Sequence, residues 1–118
     1  MGKTTKKVFV SLPMSGRKYE DIKKDMQKVI LKLNDFKLKN TKYTLINSLL
    51  DFKKIKFSKQ CKNKSVECLS RSIKYLSKAD VVCFVSVFGV GKWNNCRGCR
   101  IEHKIAIDYN INIVYMHI

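Results

Sequence analysis

The chain has 118 residues, with 25 Lys and Arg against 9 Asp and Glu, a formal charge of +16 and 45% hydrophobic residues. That length holds one domain, residues 1–118, around a single core, and the hydrophobic content excludes a disordered polyelectrolyte. A membrane span needs about 20 apolar residues in a row; none occurs, and after the basic start Met1–Lys7 the apolar run Val8–Val10 is too short for a secretory signal.

The five cysteines (61, 68, 83, 96 and 99) are an odd set without the density of a disulfide scaffold, so reduced thiols in a cytoplasmic protein are expected. Four of the 25 basic residues are Arg and the rest Lys, spread along helix faces that look solvated. Aromatics interleaved with Arg, as base-stacking surfaces require, are absent. The charge is therefore read first as attraction for small anions, phosphates among them, with a basic nucleic-acid accessory protein as the third functional reading.

Lys6–Ser11 (KVFVS after Lys6) reads as a short buried strand, ended by Leu12-Pro13-Met14-Ser15-Gly16. From Arg17 to about Asn34, Tyr19, Ile22, Met26, Val29, Ile30 and Leu33 recur at helical spacing opposite a charged face. Thr41–Asn47 is a second strand, and Leu49–Lys64 carries no clear period. Ser65 can cap a helix running to about Ser77, with Val66, Leu69, Ile73 and Leu76 inward. Asp80–Phe88 is almost continuously apolar, as a strand covered on both faces should be. Gly89–Arg97 is a loop, Gly98 to about Tyr109 a third helix, and Ile111–His117 the last strand.

This alternation predicts a Rossmann-like, flavodoxin-like three-layer α/β domain, with about four parallel strands flanked by three helices. In such sheets ligands sit beyond the carboxyl ends of the strands. Two loops should meet there, Ser11–Gly16 and Phe88–Glu102.

The second loop leads into Cys96-Arg97-Gly98-Cys99-Arg100-Ile101-Glu102-His103. Gly98 at a helix start permits close backbone approach, and the free N–H groups and dipole there favour an anion. Half of the chain's scarce arginines, Arg97 and Arg100, stand at this point, offering the forked grip on phosphate that Lys lacks. Glu102 in the first turn fits two roles: a residue that stabilises the helix dipole, or a carboxylate aimed into the cleft as nucleophile or general acid/base.

Cys96-x-x-Cys99 with His103 shares one helix face. That spacing admits zinc, with Cys61 or Cys68 as a fourth ligand, or a redox pair. His103 diverges from Glu102 around the helix and is expected to pack or bond beside the site rather than act as its acid. Trp93 either stacks on a base or covers the sheet end. Gly89-Val90-Gly91-Lys92 lacks the full phosphate-loop spacing and reads as a hinge.

Ser11-Leu-Pro-Met-Ser-Gly16, then Leu76-Ser-Lys-Ala-Asp80, then Trp93 through Arg97-Gly-Cys-Arg-Ile-Glu-His103 and Ala106 resemble the nucleoside 2-deoxyribosyltransferase-like superfamily. The nearest pattern is an uncharacterised branch of phages and bacteria, S-x-P-M-S-G … A-D … W-x-x-x-R-G-C-R-x-E-H. The likeness runs over nearly the whole chain in the same element order.

The resemblance implies that Glu102 is the glutamate that attacks the anomeric carbon and forms a glycosyl-enzyme ester, as in a retaining glycosidase. Asp80 matches an aspartate that helps organise the base end of the site; read from its place at a strand start, it equally fits a residue that only caps the preceding loop. Gly98 matches a glycine in the phosphate- or ribose-contacting turn, and Ser11 and Gly16 lie in the loop that lines the sugar pocket. Cys99 belongs to the motif and Cys96 replaces its usual serine, so neither a metal nor a cofactor is expected.

The expected ligand-binding set is Ser11, Pro13, Met14, Ser15 and Gly16 from the first loop, with Trp93, Arg97, Gly98, Cys99, Arg100 and His103 from the second. Arg97, Arg100 and the Gly98 amide would hold phosphate, and Trp93 and Met14 would flank base or sugar. Phe9 stands where the transferases carry a tyrosine that orients the glutamate, Cys96 where they carry an aspartate, and Arg100 where they carry a small residue. These departures point away from base exchange and towards hydrolysis of a phosphorylated nucleoside, or towards a non-catalytic nucleotide binder. A homodimer or higher homo-oligomer is the expected assembly, since relatives of this fold often complete their sites across subunits.

Overall fold

The computed structural model describes residues 4–35, 40–49 and 54–118. Its elements, in chain order, are strand β1 (Thr4–Ser11), helix α1 (Tyr19–Asp35), strand β2 (Thr41–Leu45), helix α2 (Lys64–Leu76), strand β3 (Val81–Ser86), helix α3 (Arg97–Asp108) and strand β4 (Asn112–His117). A single 3₁₀ turn, Trp93–Asn95, precedes α3. The strands make one parallel sheet in the order β2-β1-β3-β4, a flavodoxin-like topology.

Side chains alternate along each strand, so the two faces of the sheet separate by parity. Val8, Val10, Val81, Cys83 and Val85 face one way and pack against Ile22, Met26, Val29 and Leu33 of α1. Phe9, Val82 and Phe84 face the other way, under Leu76 of α2 and Ala106 of α3. Every residue of β3 is buried, which explains its unbroken apolar sequence. Fully burying Phe9 and Phe84 contributes about 1.5–3 kcal/mol each. Among the described residues no helix is long and apolar enough to cross a membrane.

Several boundaries differ from the sequence expectation, each for a local reason. The cap of α2 is Asn63, not Ser65: its side chain accepts from the Val66 N–H at 3.0 Å, and the helix begins two residues early. With that start Val66 is exposed, while Leu76 is buried and Leu69 and Ile73 half-buried. Asp80 and Val87–Phe88 fall outside β3, because Val87 turns back to pair with Gly91 in an isolated bridge. Of the segment Leu49–Lys64, residues 50–53 lie outside those described, as do Met1–Lys3 of the basic start. The remainder carries no regular element before α2 and is held to it in part by Arg71, which donates to the Lys56 carbonyl at 3.0 Å.

The loop after β1 is pinned from within. Arg17 donates to the Pro13 carbonyl at 3.0 Å and pairs with the buried Asp25 of α1. Gly16 turns the chain there with φ of +72°, a conformation that disfavours any side chain.

Candidate functional site

The chain runs outward from β1 in both directions, to β2 on one side and to β3 on the other, so the strand order reverses between β1 and β3. At that point the loops on either side diverge and leave a crevice. Glu102 lies there. Parity places Ser11, the last residue of β1, on the α2/α3 face of the sheet, below the buried stripe Cys99, Glu102 and Ala106 of α3. The Ser11 hydroxyl donates to one carboxylate oxygen of Glu102 at 2.9 Å, and the Ser72 hydroxyl of α2 donates to the other at 2.7 Å. Three elements thus converge on one carboxyl group.

That carboxyl is 6% exposed. Burial raises its pKa above the usual carboxylate range; the hydrogen bonds from Ser72 and Ser11 pull it back down in part, and the nearby Cys96 adds a small upward push. A buried carboxyl with a raised pKa and two orienting donors suits attack on an electrophilic carbon or proton transfer.

The helix start beside it is open. A Cβ built on Gly98 would meet no atom within 4 Å, so nothing within the fold requires glycine there. Arg97 and Arg100 project into solvent, and neither pairs with an acidic side chain among the described residues. The two loops meet as expected: a Cβ on Gly91 would lie 3.9 Å from the Pro13 ring.

Other expected site residues fall elsewhere. Asp80 lies at the amino end of β3, the opposite end of that strand from the crevice, where its carboxylate accepts from the Lys7 backbone N–H at 2.8 Å. The carboxylate caps the entry of β3 and does not reach the Glu102 region. Met14 is half-buried and packs in part against the α1-side core. Ser15 and Gly16 are exposed in the turn.

Trp93 and His103 belong to an aromatic cluster. The Trp93 ring lies 4.5 Å from His103, 5.1 Å from Phe84 and 5.7 Å from Tyr115, between centroids. His103 Nε2 hydrogen-bonds the Tyr115 hydroxyl at 2.7 Å, so its imidazole faces β4 rather than Glu102. Consistent with that direction, no group of three or more His, Cys, Asp or Glu side chains capable of holding a metal exists among the described residues.

Ser72 was not anticipated. A signal existed: Leu69, Ser72, Ile73 and Leu76 follow the i, i+3, i+4, i+7 stripe of a buried helix face, and a hydroxyl on such a stripe must find a partner. A separate groove of about 390 Å³ is lined by Ser86–Lys92, His117 and Ile118 at the carboxyl ends of β3 and β4. It contains none of Glu102, Ser11 or Ser72 and lies on the far side of β3 from the switch point.

Fold and site together define a flavodoxin-like α/β domain with a hydrogen-bonded, buried carboxylate at its topological switch point. No protein-family model, curated protein or solved structure matches the chain in comparison.

Proposed function

We propose that this protein recognises a phosphorylated nucleoside or nucleotide derivative in the crevice between β1 and β3 and cleaves its N-glycosidic bond through Glu102. The observation that carries this reading is the convergence of Ser11 and Ser72 on the Glu102 carboxylate at the switch point. The motif resemblance to nucleoside 2-deoxyribosyltransferase-like proteins supplies the substrate class.

In this reading the carboxylate stabilises, then captures, the positive charge that develops at the anomeric carbon as the base departs, and water releases the sugar. Phe9, at the position of the transferases' orienting tyrosine, is fully buried and has no hydroxyl to offer. Ser11 and Ser72 supply hydroxyl donors to the carboxylate instead. The open approach to Gly98, with Arg97 and Arg100 beside it, suits a phosphate at the first turn of α3.

A non-catalytic nucleotide binder is the second reading. The slight exposure of Glu102 favours it, because both carboxylate oxygens are already occupied by hydroxyls. The test is incubation with a panel of nucleosides, nucleoside monophosphates and dinucleotides, following free base by chromatography beside a folded Glu102→Gln control. Base release that vanishes in the variant is expected. No release from any compound, with one of them retained after desalting, would overturn catalysis in favour of binding.

A further inference from the structure

The motif Cys96-Arg97-Gly98-Cys99 has chemistry that glycosidic cleavage does not use. Cys96 is the N-cap residue of α3, in extended backbone (φ −98°, ψ 124°), and Cys99 lies in the first turn directly above it. Cys96 is half-buried and reachable from solvent, whereas Cys99 is 2% exposed. Cys99 shares the buried stripe of α3 with Glu102, and the Ser11 hydroxyl that donates to Glu102 lies beside both. One reachable thiol at a helix start, a second thiol beneath it and a carboxylate behind the second form an ordered series. All five cysteines are free.

We propose that Cys96 and Cys99 form a dithiol–disulfide exchange centre that reacts with low-molecular-weight disulfides. It does not depend on the glycosidase reading, since no step needs a nucleotide.

The environment separates the two sulfurs by role. Cys96 makes no conventional capping bond. The neighbouring Cys99 thiol above all, with the Cys99 and Gly98 N–H groups and the Arg100 charge, nevertheless favours its thiolate, and partial burial opposes them. Its pKa is brought down to about 6. Cys99 is pushed in the opposite direction, first by its bond to Cys96 and then by burial, with the Ser11 hydroxyl opposing and the Cys96 and Glu102 charges reinforcing the rise. The first sulfur is an attacking thiolate at neutral pH. The second stays protonated until the first has reacted.

The steps balance as follows. The Cys96 thiolate attacks one sulfur of R–S–S–R, forming Cys96–S–S–R and releasing RS⁻. That bond removes the negative charge that held the Cys99 proton. Cys99 then passes its proton through Ser11 to Glu102, attacks the Cys96 sulfur and releases the second RS⁻. The dithiol is oxidised by two electrons and the small disulfide is reduced to two thiols. Their protons are the one Cys96 gave to solvent on ionising and the one relayed through Glu102. Excess thiol runs the sequence backwards, and stabilisation of the Cys96 thiolate makes the protein disulfide easy to reduce.

The experiment uses the full chain with Cys61→Ser and Cys68→Ser, so that the other half-buried thiols do not contribute. Glutathione disulfide is added, the reaction is quenched with acid, and free thiols are alkylated before digestion. Trypsin cuts after Arg97, between the two cysteines, so the expected product is a pair of peptides held together until reduction. Cys99→Ser should instead accumulate glutathione on Cys96, and Cys96→Ser should take up none there. In untreated protein, iodoacetamide should alkylate Cys96 about tenfold faster at pH 6 than it does a short cysteine peptide, once the lower nucleophilicity of a low-pKa thiolate is allowed for. Glutathione persisting on Cys96 of the unsubstituted motif, with no linked peptides, would overturn the proposal, as would alkylation at pH 6 no faster than that of the peptide. Both decisive measurements keep Cys96 and Cys99 in place, so misfolding of either variant leaves the test intact.

Discussion

Replacing Ser72 by alanine removes one hydroxyl, and its effect on stability should depend on pH. In the native protein that half-buried hydroxyl donates at 2.7 Å to an oxygen of the buried Glu102. A hydrogen bond to a charged group contributes about 1.5–3 kcal/mol. For a chain of this size each kcal/mol moves Tm by roughly 4 °C, so a fall of about 6–12 °C is expected at pH 8. As the pH drops, the carboxyl takes up a proton, its demand for donors falls, and the penalty should shrink.

Wild type should move with pH in its own right. The folded pKa of Glu102 lies above the unfolded one, so the folded state holds the proton more tightly. Glu102's contribution to stability is therefore greatest below the unfolded value and falls as pH rises through the folded one. Ser72→Ala should steepen that loss, because the bond it removes was lowering the pKa. Urea unfolding of both proteins from pH 4.5 to 8 measures the difference. A penalty of equal size across the range would refute the bond between Ser72 and an ionised Glu102.

Gly98→Ala should raise thermal stability slightly, by about 0.5 kcal/mol, because alanine favours a helix and the space is open; the same change should weaken nucleotide binding in calorimetry if phosphate approaches that turn. Asp80→Ala should cost about 1 kcal/mol through the lost acceptor for Lys7, yet leave base release at the wild-type rate. Asp25→Ala should cost about 3 kcal/mol in denaturant unfolding, because it strands the largely buried Arg17 guanidinium that also holds the Pro13 loop.

What the sequence made legible follows from how strongly each pattern is forced. The run Val81–Ser86 could only be a doubly covered strand, and the alternation of strand and helix then dictated a parallel sheet. Glu102 was legible because it sits in a dense motif, and its inward direction follows from sharing the Cys99–Ala106 stripe. The start of α2 was harder to read, since Asn63 and Ser65 are both competent caps and only the three-dimensional bond to Val66 chooses between them. Asp80 was drawn into the site by motif likeness alone, although a residue at the amino end of a strand lies a full strand length from any carboxyl-end crevice. Met14 is a loop residue next to a motif, with no periodicity to show which core it joins, and only the structure places it against the α1 side.

The Glu102 carboxyl also says something about how this domain comes into being. Its two donors are 91 and 30 positions away along the chain, and every strand pairing in the sheet is parallel, so no adjacent hairpin can form early and act as a template. β1 is made before α1, β2 and α2 and cannot find β3 until all three have followed it. Late, non-local closure of this kind is slow to fold. The carboxylate acquires its shifted pKa only when α3 docks on a sheet already in register with α2. A fragment lacking β1 would lose the Ser11 donor and the strand beneath α3, so in this protein the titration of one carboxyl is itself a reporter that folding is complete.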